Sequence, residues 1–453
     1  MNKIDYTKHN FAVIGLGDTG LSIIEFLEYQ SAKILKIFDT RDNPPHQEMV
    51  VNYQLHCGPL DIKLFNDIDV IVLSPGVSIY EPVLQQLLHM GHQIVGDIEL
   101  FALAIKAWRS KVVGITGSNG KTTVTSLTGY LATKYGLKTL VSGNIGTPVL
   151  KSYLDTVQTN NIPEIIVLEL SSFQLETTYS LELVAATVLN ISPDHLDRYR
   201  DLLEYAYVKA NIFNNAATQV LNYNDLFIKS MERTHLPKIW FGIGNDSTYY
   251  IDREDNKNYL VINGTKIVNC DGLQLVGQHN YLNCLASLAL LSTVGVDINS
   301  DLILQGLLSF KGLEHRMQKV TTHNGVTYIE DSKGTNVGAV IAGVSGLDNP
   351  VHLILGGDGK GQDFTPLREL VINKCKSVAI IGQDRDKIKQ VLTEIDLPIL
   401  VCDSLQDAVK FCITNAKNNE YVVLSPACAS WDMFTNYKHR AQVFIDSIYA
   451  NIK

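Results

Sequence analysis

Short apolar runs rich in β-branched residues recur along this chain, at Phe11–Gly15, Val70–Leu73, Val112–Thr116, Ile165–Leu170, Val351–Leu355 and Tyr421–Leu424, with amphipathic stretches between them. A strand that is apolar on both faces must be covered on both, and the connection to a parallel neighbour is usually a helix. The pattern therefore restricts the chain to α/β architecture, with βαβ units around parallel sheets. At 453 residues it exceeds what one core organises, and three domains are expected.

The segment Gln93–Gly96 closes a first Rossmann-like unit, and Asp97–Trp108 reads as a helix leading to a strand at Lys111–Thr116. A boundary is therefore placed near residue 98. Between Thr248 and Val268 the pattern changes to short, alternating, tyrosine-bearing strands with turn signals at Asn256 and Gly264, an antiparallel excursion within the middle unit. A long helical stretch, Asn280–Val294, follows it. Phe310–Arg316 then leads into a hairpin, Met317–Ile329, around Asn324-Gly325, which sets the second boundary near residue 312. The expected units are 1–98, 99–312 and 313–453, the last again Rossmann-like.

The charge balance excludes some partners. A net charge of −9 with no lysine or arginine block leaves nothing to neutralise a phosphate backbone, so nucleic acid is not expected. Met1–Asn10 is polar, and no later run has the apolar length to cross a bilayer, so the expectation is a cytoplasmic protein without membrane insertion. The seven cysteines have no CxxC pair or framework spacing and read as reduced, mostly buried thiols.

The strongest chemical signal is Gly114-Ile-Thr-Gly-Ser-Asn-Gly-Lys-Thr122, which follows an apolar strand and opens a helix. In such a loop the backbone of Gly117, Ser118, Asn119 and Gly120 wraps phosphates at a helix N-terminus, with Thr123 beside them. Lys121 reaches the terminal phosphates, and Thr122 holds Mg²⁺. Its glycines are not at the strict P-loop spacing, so an ordinary glycine turn is the alternative. The strand before and the helix after favour ATP, and a P-loop middle domain.

Glu169 ends the run Ile165–Leu168, where a carboxylate can meet the nucleotide's metal. A second strand, Ala185–Ile191, delivers Ser-Pro-Asp-His-Leu-Asp197. His195 there is a metal ligand, a phosphate contact or a hydrogen-bonded loop residue. At the N-terminus, Gly15-Leu-Gly-Asp-Thr-Gly20 follows a strand and Asp39 ends the next one. That is compatible with a dinucleotide, another nucleotide diphosphate, or a plain tight turn. Glu330–Asn336, Leu355–Lys360 and Ser425–Ser430 each follow an apolar strand, so these loops should gather at one carboxyl edge, made positive by Lys333 and Lys360.

Together these blocks resemble the Mur ligase family, the ATP-dependent amino acid ligases of peptidoglycan precursor synthesis. The likeness runs from Phe11 to Phe444 through IGLGDTGLS, TGSNGKTT, LELSSFQLE, DHLDRY, GQHNYLN, EDSKGTN, GGDGK and SPACASWDMF. Within the family it is nearest to the branch that adds D-glutamate to UDP-N-acetylmuramoyl-L-alanine. The resemblance implies that the first glycine turn holds a UDP-sugar, with Gly17, Thr19, Thr40, Arg41, Ser74, Asn144 and His195 on that substrate.

It also implies that Asn280, Asn283, Arg316 and Asp331 contact ATP, and that Lys333, Thr335, Lys360, Ser430 and Tyr437 form the D-glutamate site. Glu169, His195 and Lys209 become magnesium-site residues with Thr122, serving two Mg²⁺ ions for which Mn²⁺ can substitute, and Lys209 carries a carbamate. Read by itself, Lys209 is a solvated helix lysine. The implied enzyme activates a carboxylate as an acyl phosphate and acts as a monomer, with Lys121, His195 and Lys209 as its catalytic residues. Gly334, Trp431 and Ala441 depart from the commonest family pattern, in which alanine, leucine and glycine stand there.

Overall fold

The computed structural model describes residues 4–195, 198–255, 257–275 and 277–452. Asp197 of the DHLDRY block and Asn256, one of the expected turn positions, lie outside the described residues.

The first sheet comprises β1 (Asn10–Ile14), β2 (Lys33–Asp39), β3 (Gln54–Cys57), β4 (Val70–Leu73) and β5 (Gln93–Gly96), in the order β3-β2-β1-β4-β5. All of its pairings are parallel. The order reverses between β1 and β4, so their carboxyl ends open a crevice between the loops that follow them.

The second sheet begins with β6 (Lys111–Thr116), β7 (Thr139–Gly143), β8 (Ile165–Glu169), β9 (Ala185–Val188), β10 (Gln219–Asn222) and β11 (Lys238–Ile243). It is completed by β12 (Tyr249–Glu254), β13 (Lys257–Ile262) and β14 (Thr265–Asn269). The order is β14-β13-β12-β11-β10-β9-β6-β8-β7. β13 pairs antiparallel with both β12 and β14, which is the expected excursion, while β11 and β12 pair in parallel.

In the third sheet β15 (Gln318–His323) and β16 (Val326–Glu330) form the expected hairpin. Its turn is made by Asn324 and Gly325, at φ +49° and +76°. β17 (Val351–Gly356), β18 (Cys375–Ile381), β19 (Ile399–Val401) and β20 (Tyr421–Leu424) complete the order β15-β16-β20-β17-β18-β19. β20 lies in parallel between β16 and β17, with Leu424 opposite Glu330 on one side and Ile354 on the other. Register thus forces the loops after these strands to one edge.

The predicted helix after residue 96 is Asp97–Ala104 followed by a short 3₁₀ turn, Ile105–Ala107. The long helix expected at Asn280–Val294 spans Gln278–Thr293. A single apolar cluster runs from Phe11 and Val13 of the first sheet and Phe26 of the helix Asp18–Tyr29 through Phe101 and Tyr153 to Ile166 and Leu168 of the second sheet. The third sheet has apolar clusters of its own, around Val340, Leu353 and Val423 on one face and Ile354, Val422 and Phe444 on the other. All seven cysteines are free thiols, and Cys57 alone is exposed. Among the described residues no helix is long and apolar enough to cross a membrane.

Candidate active site

The connection from β6 to the helix Lys121–Lys134 is residues 117–120. Gly120 has φ +84°, and a Cβ there would lie 2.7 Å from Asn283 Oδ1, so both backbone and space demand glycine. Gly120 at its N-cap has no side chain to cap this helix, so its first amide N–H groups can face an anion. Lys121 lies back over the loop, its Nζ donating to Gly117 O at 2.7 Å and Ser118 O at 2.9 Å. Burial lowers its pKa, against the opposing pull of the Glu169 and Asp194 carboxylates.

β9 stops at Val188 rather than at the expected Ile191 because the backbone beyond it turns to hold the phosphate loop. Asn190 Oδ1 accepts from Asn119 N at 2.8 Å, and its Nδ2 donates to Asn119 O at 2.9 Å. Ser118 N donates to Asn190 O at 2.9 Å, and Ser192 N to Ser118 Oγ at 2.9 Å.

Glu169, at the end of β8, is 2% exposed. Its Oε1 accepts from Asn144 Nδ2 at 3.0 Å, while Oε2 is a buried acceptor with no donor among the described residues. Lys209 is not solvated, as its sequence alone suggests, but 1% exposed. Its helix, Leu202–Ala210, turns Tyr205 and Lys209 inward together, with Nζ 3.3 Å from Thr116 Oγ1 and 4.6 Å from the Tyr205 ring centroid. Burial, then the charge of Lys121, pushes the Lys209 pKa well below its ordinary value and favours the neutral amine. His195, at φ +55°, packs its ring edge-on against Phe173 with centroids 4.8 Å apart.

Among the described residues no cluster of three His, Cys, Asp or Glu side chains is arranged to hold a metal. What does fit a divalent cation is the orphaned oxygen of Glu169, within reach of the phosphate loop's own ligands. A carbamate on Lys209 would add an anionic oxygen beside it.

The nucleotide candidates converge from distant parts of the chain. Arg316 Nη2 donates to Thr122 Oγ1 at 3.2 Å, and Asn283 Nδ2 to Asn280 Oδ1 at 3.1 Å. Asp331 accepts from Met317 N at 3.1 Å and from Ser425 Oγ at 2.6 Å, and burial pushes its carboxyl up to about 7.

In the first sheet Gly17 and Thr19 open the helix Asp18–Tyr29, which also lacks a side-chain cap. A Cβ on Gly15 would lie 2.8 Å from Ser74 Cβ across the crevice. Asp39 is occupied: Leu16 N donates to Oδ2 at 2.7 Å, and Arg41 forks onto both oxygens at 2.8 and 2.7 Å. Burial raises the Asp39 pKa, but the hydrogen bonds from Arg41 and Leu16 prevail and hold it at about 2. A carboxylate so engaged is not free for a ribose diol, which removes the dinucleotide alternative. Thr40 and Arg41 are exposed, and Asn144 directly follows β7 of the second sheet, where its N–H donates to Glu169 O at 2.8 Å.

At the third sheet's edge the three loops are stitched together. Ala427 N donates to Gly334 O at 2.9 Å, and Asp358 and Ala429 exchange backbone bonds at 3.0 and 2.8 Å. Lys333 Nζ sits 4.0 Å from the Tyr437 ring centroid. Burial, then Arg316, lowers its pKa. Lys360 is exposed at φ +50°, Thr335 is half-buried and Ser430 is 3% exposed.

Three family descriptions match in succession: "Mur ligase MurD-like, N-terminal domain" over residues 9–96, "Mur ligase middle domain" over 115–291 and "Mur ligase, glutamate ligase domain" over 315–428. A protein of Chromobacterium violaceum named UDP-N-acetylmuramoylalanine--D-glutamate ligase is 43% identical over 453 residues, covering 99% of each chain. One of the same name from Methylobacillus flagellatus is 44% identical, covering 96% of each. The chain belongs to the Mur ligase family.

Two solved structures share the fold of this Mur ligase. The MurF ligase of Thermotoga maritima in complex with ADP has a TM-score of 0.62 at 15% identity, over 97% of this chain and 95% of that one. A pseudomurein peptide ligase type C from Methanothermus fervidus has a TM-score of 0.60 at 18% identity, over 97% and 100%.

Two residues that sequence reasoning passed over hold the site of this Mur ligase together. Asn190 clamps the phosphate loop, and its signal in the sequence was a polar residue near the end of the apolar run Ala185–Ile191. Arg440, wholly buried, donates from Nε to Ser332 Oγ at 2.9 Å, from Nη2 to Ser332 O at 2.8 Å and from Nη1 to Cys428 O at 3.1 Å. In sequence it looks like any arginine on a polar helix.

Proposed function

We propose that this Mur ligase joins D-glutamate to UDP-N-acetylmuramoyl-L-alanine, converting ATP to ADP and phosphate, as the names of its full-length relatives read. The observation that carries the chemistry is the buried, half-unpartnered Glu169 carboxylate, whose charge acts on both the half-buried Lys121 of the phosphate loop and the buried Lys209. We assign the UDP-substrate to residues 1–98, ATP to 99–312 and the amino acid to 313–453, in a cytoplasmic monomer.

A carboxylate is a poor acyl donor. A carboxylate oxygen of the UDP-substrate first attacks the terminal phosphorus of ATP, and the bond to the bridging oxygen of ADP breaks. The amine of D-glutamate then attacks the acyl carbon, phosphate leaves and the amine gives up its proton. Lys121 leaves its two loop carbonyls for the transferred phosphoryl group and offsets charge developing there. Thr122, Glu169 and a carbamate on Lys209 would hold magnesium, which when bound would supply positive charge to offset that of the phosphates. The neutral amine of Lys209 is the form that adds to CO₂, releasing one proton and leaving an anionic carbamate. His195 orients the UDP-substrate's reacting end. Lys333, Thr335, Lys360, Ser430 and Tyr437 seat D-glutamate, whose two carboxylates need charged or hydrogen-bonding partners.

Phosphate release is the test, with UDP-N-acetylmuramoyl-L-alanine and a panel of amino acids. Release should require both the carboxylate and D-glutamate, and Lys121→Ala should lower it by about 10³-fold without weakening UDP-substrate binding. A better rate with L-lysine, meso-diaminopimelate or L-alanine would overturn the amino acid assignment.

A further inference from the structure

We propose that Arg198 is a positioning residue that couples seating of the UDP-substrate on the first sheet to placement of His195 beside the phosphate loop, an inference that rests on the substrate reading above. Its guanidinium crosses between the two units: Nη1 donates to Pro75 O at 3.2 Å and Nη2 to Val77 O at 3.4 Å. Nη2 also donates to Glu176 Oε2 at 2.5 Å, in a pair whose side chains are 9% and 3% exposed.

On the first-sheet side these carbonyls belong to the turn that begins at Ser74. Val77 N donates to Ser74 O at 3.0 Å, closing the turn. A Cβ on Gly15 would meet Ser74 Cβ at 2.8 Å and Val77 Cγ2 at 3.3 Å, so the turn rests directly on the glycine loop. A ligand that seats there presses on the turn that Arg198 holds.

On the other side the contacts lead to His195. The N–H groups of Arg198 and Tyr199 both donate to His195 O, at 3.0 and 3.2 Å. The guanidinium lies 3.8 Å from the Phe173 ring centroid, and Phe173 is the ring against which His195 packs. Tyr199 Oη donates to the second oxygen of Glu176 at 2.6 Å, so that carboxylate holds both Arg198 and Tyr199, the two residues whose N–H groups bond the histidine carbonyl. The path from Gly15 to His195 is therefore continuous and passes through one planar fork, whose geometry a lysine does not reproduce.

Arg198→Lys keeps a charge beside Glu176 but does not span both carbonyls. In the phosphate-release assay it should raise KM for UDP-N-acetylmuramoyl-L-alanine about tenfold and lower kcat by a similar factor, the size of an ordinary coupling between sites. KM for ATP and for D-glutamate should stay within about twofold, because neither ligand touches this path. Titration of the UDP-substrate onto ATP-free protein should show the same weakening. Glu176→Gln, which loosens the anchor without removing the fork, should give the same split at smaller size, and it carries the test if Arg198→Lys does not fold.

Equal changes in all three KM values, the signature of a strut that only stabilises the chain, would overturn the proposal. So would variants with wild-type KM for the UDP-substrate. If the wild-type chain itself released no phosphate with this substrate, the functional reading would fall instead, which separates the two failures.

Discussion

Lys209 illustrates how one buried amine changes meaning with its surroundings. A 1% exposed ammonium whose hydrogen-bond acceptor among the described residues is one hydroxyl is costly, so burial favours the neutral form. That form is a nucleophile toward CO₂, and the proposed carbamate would replace a disfavoured cation with an anionic oxygen ligand in the site that holds the orphaned oxygen of Glu169. Lys209→Ala should lower turnover about 10²-fold or more, the scale of losing one preorganised electrostatic partner. Acetate or formate should restore part of it by supplying the missing carboxylate. Isotopically labelled bicarbonate should add a carbamate signal to the wild type alone. An unlabelled wild type and an unrescued variant would together remove the modification.

Among the elements, the loops at the carboxyl ends of strands carry the site, and their shapes depend on one another. The phosphate loop is held by the segment after β9 through the paired amide bonds of Asn119 and Asn190. Asn190→Ala would leave the half-buried Asn119 N–H without its acceptor. The expected outcome is a stability loss of about 1–3 kcal/mol in denaturant unfolding, with KM for ATP raised about tenfold and that for the UDP-substrate unchanged. An unaltered KM for ATP would show that the loop keeps its shape unaided. The third sheet uses Arg440 in the same way, tying the segments of Ser332 and Cys428 that flank Lys333 and Ser430.

For the whole molecule, the junction of the first and second sheets is apolar, but it contains ionisable groups. Asp97 is 2% exposed, with Oδ2 accepting from Gln174 Nε2 at 3.1 Å and Oδ1 unpartnered among the described residues. Burial pushes its carboxyl up to about 6, from an ordinary 3.8. Below the ordinary value both folded and unfolded chains hold the proton and nothing is lost. As pH rises from about 4 to about 6 the unfolded chain releases it first, so folding stability falls across that window and stays lower above it. Asp97→Asn keeps the acceptor for Gln174 and abolishes this loss. Thermal unfolding should show the variant more stable by about 1–3 kcal/mol at pH 8, and the two chains converging near pH 4. Convergence at high pH instead would reverse the assignment.

Much of this could be read from the chain alone, and the reason is the range of the forces involved. Strands at Phe11–Gly15 and Val351–Leu355, the helix after Gly120 and the Asn324-Gly325 hairpin follow from periodicity and turn chemistry, which act over a few residues. Parallel pairing then places the loops after β16, β17 and β20 on one edge without further information. What the tertiary structure decided is the state of individual polar groups. Lys209 on its helix has no local mark of burial, and Asp39 fits a ribose contact until Arg41 closes on it. Nothing local marks Arg198 or Arg440 as buried until the segments around Pro75 and Cys428 arrive from far along the chain. Desolvation and hydrogen-bond partners are set by neighbours in space, so the chemistry of such side chains exists only once the fold has closed around them.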